Sequence, residues 1–82
     1  MSSLNSLEKV DSLIPVILTS QSGFRYFFIY VVRCISRKTD HSVVLNRFLS
    51  ESLAAKYVSN NSKLYDSLYK NMFYCREIVW LD

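Results

Sequence analysis

His41 is the chain's single histidine, and it sits in the triplet Asp40-His41-Ser42, the three side-chain types of a hydrolytic triad. A triad is assembled from distant segments, because neighbouring residues in a turn or strand point in different directions. Adjacency therefore argues against the chemistry, and the triplet reads as a solvated turn. Cys34 and Cys75 could in principle act as nucleophiles with His41. Both lie in apolar stretches, where burial raises a thiol's pKa and makes it inert. They read as two reduced, buried thiols. The carboxylates Glu8, Asp11, Asp40, Glu51, Asp66, Glu77 and Asp82 are scattered, with no pair at a spacing that suggests acid–base or metal work. One histidine and two distant cysteines fall short of a tetrahedral metal site. A single glycine, Gly23, cannot build a phosphate-cradling loop. The expectation is a protein without catalytic, cofactor or metal residues, and so not an enzyme.

Two recognition chemistries remain. Residues 24–48 carry Arg25, Arg33, Arg37, Lys38 and Arg47 against Asp40 alone, a net charge of +4 within a chain of net charge +3. Tyr26, Phe28 and Tyr30 interleave with these arginines. Basic groups with aromatic rings between them are the ingredients of a nucleic-acid stacking platform. However, on a strand Phe27, Ile29, Val31 and Ile35 share the arginine face and look like core. The overall charge is also below that of a strongly basic nucleic-acid binder.

The stronger reading is protein binding. Six tyrosines, five phenylalanines and Trp80 exceed what the core of an 82-residue chain requires. Aromatic residues and arginine are the preferred anchors of protein interfaces. The candidate contact residues are Arg33, Arg37, Lys38 and Arg47 around a basic hairpin, with Tyr65, Tyr69 and Trp80 as aromatic anchors. The chain accordingly reads as a small interaction protein, an inhibitor, adaptor or assembly subunit of the kind that viruses and phages often encode. Nucleic-acid binding is the alternative.

These residues must be positioned by a small number of elements. Nine of the twelve residues from Phe24 to Ile35 are Phe, Tyr, Ile or Val, which suit a pleated sheet better than a crowded helix. Both parities of this run are apolar, as in a strand covered on both faces. The polar break 37–41 is of hairpin length, and Ser42–Phe48 is a second β-rich run. Ser50 can cap a helix with Glu51 in its first turn and Leu53, Ala54, Tyr57 and Val58 on one face. Asn60-Asn61 would end it in a left-handed conformation.

Ser62 then offers a second cap, with Leu64, Tyr65, Leu68, Tyr69 and Met72 at helical spacing. Residues 73–81 read as a closing strand in which Ile78 and Trp80 on one side and Val79 and Leu81 on the other make two apolar faces. Near the N-terminus, residues 3–13 suggest a short helix stopped by Pro15, and 16–19 a short strand. The expected architecture is one α+β domain over 1–82. A small antiparallel sheet (hairpin 24–36 with 42–48, closing strand 73–81) is packed by two or three short helices. An all-α four-helix bundle is the alternative, since periodicity alone does not separate short apolar runs.

A strand apolar on both faces needs two covers, more than so short a chain readily supplies. A homodimer is therefore expected. Residues 13–35 are apolar enough to suggest a membrane span, but Arg25 would sit at mid-bilayer, at a cost of about 2.5–3.5 kcal/mol. No membrane contact is expected. The first residues show no basic stretch ahead of an apolar one, so no secretory signal is expected and the location is read as cytoplasmic.

Overall fold

The computed structural model describes residues 14–82. The short helix expected over 3–13 lies outside the described residues. The described residues form an antiparallel sheet of four strands with one helix, an α+β fold and not a helical bundle. In chain order the elements are β1 (Leu18–Thr19), β2 (Arg25–Ser36), β3 (Ser42–Phe48), α1 (Glu51–Asn61) and β4 (Tyr69–Trp80). The long aromatic run is the central strand. β2 is flanked on one side by β1 and then β3 along its length, and on the other by β4.

The turns follow local chemistry. Gly23 adopts φ 89°, a conformation that costs glycine nothing, and its N–H donates to the Ser20 carbonyl at 3.0 Å. Between β2 and β3, Asp40 takes the left-handed conformation (φ 61°), which a short polar side chain tolerates. The turn closes with Ser36 N–H to His41 O at 2.9 Å.

Helix α1 starts where Ser50 caps it: the Ser50 hydroxyl accepts from the Leu53 N–H. It ends at the asparagine pair, by a different device from the one expected. Neither asparagine is left-handed. Instead the Asn61 side-chain amide donates to the Tyr57 carbonyl at 2.8 Å, satisfying one of the orphan carbonyls of the last turn.

The second helix read into 62–72 is not formed. Residues 62–68 are a series of turns, and β4 begins at Tyr69, four residues before the strand start expected at 73. The helical spacing of Leu64, Tyr65, Leu68, Tyr69 and Met72 is overridden by pairing. Ser36 lies opposite Tyr69 and Ile35 opposite Lys70, so these residues satisfy their backbone in the ladder. The described residues thus contain one helix where two or three were expected over the whole chain. Strand β4 accommodates the longer pairing with a bulge. Its register against β2 shifts between Arg33 and Ile35, and Asn71 there has φ 58°. A second shift, between Val32 and Arg33 against β3, adds a residue near Leu45.

Paired residues share a face, so register sorts the side chains. One face carries Tyr26, Phe28, Tyr30, Val32 and Cys34 of β2 with Trp80, Ile78, Arg76 and Tyr74 of β4 and Phe48 of β3. Helix α1 lies on this face. Tyr74 Oη donates to Glu51 Oε2 at 3.1 Å, and the Phe48 and Tyr57 rings are 5.6 Å apart. The opposite face carries Arg25, Phe27, Ile29, Val31, Arg33 and Ile35 with Val79, Glu77 and Cys75. Among the described residues only Val31, Val32, Cys34 and Ala54 are fully buried: Val32, Cys34 and Ala54 form the core between α1 and the sheet, and Val31 is buried on the opposite face.

Candidate functional site

The helix is eleven residues long and β2 is twelve, but a helix rises only about 1.5 Å per residue against about 3.3 Å for a strand. One helix therefore cannot roof the whole strand. It covers the end bearing Val32 and Cys34 and leaves the Tyr26–Phe28 end open. On the open end, Tyr26 stands opposite Trp80 with ring centroids 5.1 Å apart, and Tyr26 meets Phe28 edge to face at 5.6 Å. The Arg76 guanidinium lies 4.2 Å above the Phe28 ring, a cation–π contact at the rim. Trp80 remains 53% exposed and Ile78 48%. The rings are thus held by each other and by two adjacent strands while presenting apolar area to solvent.

The same face continues across β1. A shallow crevice of about 200 Å³ is lined by Ile14, Val16, Leu18, Phe28, Tyr30 and Leu49. Val16 and Ile14, on its outer wall, are 75% and 63% exposed. Scattered exposed apolar residues need no explanation, whereas a contiguous patch with a charged rim is a candidate interaction surface.

The residues singled out from sequence do not converge on one place. Trp80 is on the open aromatic end. There Trp80 and Ile78, on one of the two apolar faces read into this strand, are half exposed. Tyr65 and Tyr69 form an edge-to-face pair at 6.3 Å. Tyr69 opens β4, eleven residues from Trp80 or about 36 Å along a strand, and Tyr65 lies in the turns before it.

The arginines are mostly engaged. Arg33 Nη2 bridges Glu77 Oε2 at 2.6 Å across the β2–β4 pair. Arg37 donates to the Asp66 carbonyl at 2.6 Å and to its carboxylate at 3.2 Å, strapping the 62–68 turns to the sheet end. Arg25 grips Asp82 through Nε and Nη2, the shortest contact being 2.8 Å. Arg47 lies opposite Val31, on the Arg33 face, and Lys38 is in the exposed turn. The two make no ion pair among the described residues.

Tyr26, Phe28, Ile78 and Arg76 complete the site around Trp80. The signal for them was present in the parity of the two aromatic strands. It was hidden because register decides which rings meet. His41 is exposed beside Asp40, whose carboxylate takes Lys70 Nζ at 3.4 Å. The described residues contain no cluster of His, Cys, Asp or Glu that could hold a metal ion. Burial pushes the Cys34 thiol's pKa up. The hydrogen bond to Glu51 raises that of the Tyr74 phenol. Both groups are thereby held neutral, with no nucleophile made of either. No described helix is long and apolar enough to cross a membrane.

Comparison with known protein families, with curated protein sequences and with solved structures finds no match to this chain. The site's own geometry therefore carries the functional argument.

Proposed function

We propose that this chain is a non-enzymatic interaction protein that binds a partner protein through the open aromatic end of its sheet, and that it works as a homodimer. One observation carries the reading: Trp80, Tyr26, Phe28 and Ile78 share one side of two paired strands, clear of the helix, with Trp80 and Ile78 half exposed and Arg76 at the rim. Rigid aromatic side chains contribute large contact area at small entropic cost, and Trp, Tyr and Arg dominate binding hot spots. The fitting partner presents an apolar ridge to the rings and an acidic group to Arg76.

The ion pairs of Arg25, Arg33 and Arg37 weigh against the nucleic-acid alternative. A phosphate contact by any of them would first have to break a carboxylate contact already made.

Affinity capture from the native cell, with and without nuclease, tests the proposal against Trp80→Ala and Ile78→Asp. A protein captured equally after nuclease treatment and bound about 30-fold more weakly by Trp80→Ala, as expected for the loss of a hot spot of about 2 kcal/mol, supports it. Capture that nuclease abolishes, or that both variants leave unchanged, overturns it.

A further inference from the structure

The two long edges of the sheet are protected very differently. On the β3 side, the edge strand is seven residues long, carries a bulge near Leu45, and exposes Asn46 and Arg47. Short length, bulges and polar side chains are the usual means of blocking edge pairing. On the β4 side, the edge strand is twelve residues long. From Met72 to Leu81 it has no proline and no lysine, and its bulge is confined to Asn71 at the start. Among the described residues β4 pairs with β2 alone.

Hydrogen-bond phase shows which groups this edge offers. The Leu81 N–H donates to the Arg25 carbonyl at 2.9 Å. In an antiparallel ladder inward and outward groups alternate. Leu81, Val79, Glu77 and Cys75 therefore direct their backbone groups at β2, whereas Tyr74, Arg76, Ile78 and Trp80 direct theirs outward.

We propose that this edge pairs with the same edge of a second copy, antiparallel about a two-fold axis through Cys75, making one continuous sheet of eight strands. This names the contact of the homodimer proposed above and rests on that part of the reading. The register follows from charge and parity. A two-fold axis normal to the sheet keeps the same face upward in both copies, so opposed residues must have the same parity. An axis at Arg76 would oppose two guanidinium groups, and one at Glu77 would oppose two carboxylates, both unfavourable. An axis at Tyr74 brings the Asn71 bulge opposite Glu77, and one at Ile78 leaves only residues 76–80 of the strand to pair. An axis at Cys75 pairs residues 72–78 without like charges. Arg76 then lies beside the second copy's Tyr74, Ile78 beside its Met72, and Phe73 beside its Glu77. Phe73 and Ile78, each 48% exposed, gain neighbours by this pairing.

Light scattering at micromolar concentration should give twice the chain mass of 9.6 kDa. Arg76→Pro removes an outward N–H and no bond to β2, and proline is tolerated on an edge. It should give a folded monomer by circular dichroism, while Arg76→Ala remains dimeric. In the native protein Cys75 would meet its own copy as a non-hydrogen-bonded pair, with Cα atoms about 4.5 Å apart, inside the range that a disulfide spans. Diamide, taking two electrons and two protons from the thiol pair, should yield a covalent dimer that Cys75→Ser abolishes and Cys34→Ser does not. This second readout holds even if Arg76→Pro fails to fold.

A monomeric wild type, a dimer that survives Arg76→Pro, or a dimer that resists cross-linking through Cys75 overturns the proposal. Trp80 lies outside the paired residues 72–78, so Trp80→Ala should weaken partner capture while remaining dimeric, and failure of the edge and failure of the face are distinguished.

Discussion

The two ends of one sheet face, built from the same pair of strands, are covered differently. At one end Val32 and Cys34 are fully buried beneath α1, with Phe48, Tyr57 and Tyr74 packed around them. At the other end Tyr26, Phe28, Ile78 and Trp80 are just as apolar but have no described helix above them. Composition does not separate the two ends. What separates them is reach. A helix is less than half as long as a strand of equal residue number, so its cover is spent before the strand ends. The covered end therefore supplies stability, and the open end is where the proposed partner would dock.

The covered end is held by burial, and the open end by contacts at its margin. Its rings lean on one another, and its last strand is tied down by the exposed Arg25–Asp82 pair. Surface pairs of this kind contribute little to stability. An open face that is rigid but weakly pinned is well suited to docking, because little ordering entropy is lost on binding.

The largest effect that would break this comparison comes from placing a charge at each end. Val32→Asp buries an unpaired carboxylate under α1 and should abolish cooperative unfolding at neutral pH, a loss above about 4 kcal/mol. Ile78→Asp, on the same face at the open end, should change stability by less than about 1 kcal/mol in urea titration. Equal damage at both positions would show that the open end is covered after all.

A smaller effect concerns the bulge that separates the regular part of β4 from the turns at the covered end. Asn71 holds φ 58° there. Asn71→Ala should cost about 1–2 kcal/mol, and Asn71→Gly much less, because only a residue with a β-carbon strains the left-handed conformation. Thermal melts of the two variants check this. Similar values for both would mean that the bulge relaxes to a different register.

The smallest effect is in pH. The Arg25 hydrogen bond holds the Asp82 carboxyl below the usual carboxylate range. A depressed folded pKa stabilises above the unfolded value of about 3.9, and the contribution is lost as pH falls through the folded value. Acidification below about pH 4 should therefore loosen the last residues of β4 at the open end, read as faster amide exchange at Leu81. Arg25→Met should remove that pH dependence and leave exchange at Val32 unchanged.

The sequence by itself determined the strands and the helix start. The run from Phe24 to Ile35 was read as a strand over the helical alternative on composition, because β-branched and aromatic side chains crowd a helix and fit a pleat. Ser50 and Glu51 marked the start of α1, since capping is a local hydrogen bond and a local charge effect. The turn around Asp40 was legible for the same reason.

Tertiary structure decided the rest. Leu64, Tyr65, Leu68, Tyr69 and Met72 had a helix's spacing, yet Tyr69 and its successors joined a strand. The unpaired edge of β2 at Ile35 and Ser36 offered ladder bonds that one isolated helical turn could not match. Arg25, Arg33 and Arg37 looked like a basic surface, and became three ion pairs with Asp82, Glu77 and Asp66. Those partners lie 57, 44 and 29 residues away. Ile78, Val79, Trp80 and Leu81 gave the last strand two apolar faces in the sequence. Whether an apolar face is covered depends on where a distant helix ends, and that is set by the length of α1 and the register of β4 rather than by the residues of the face itself.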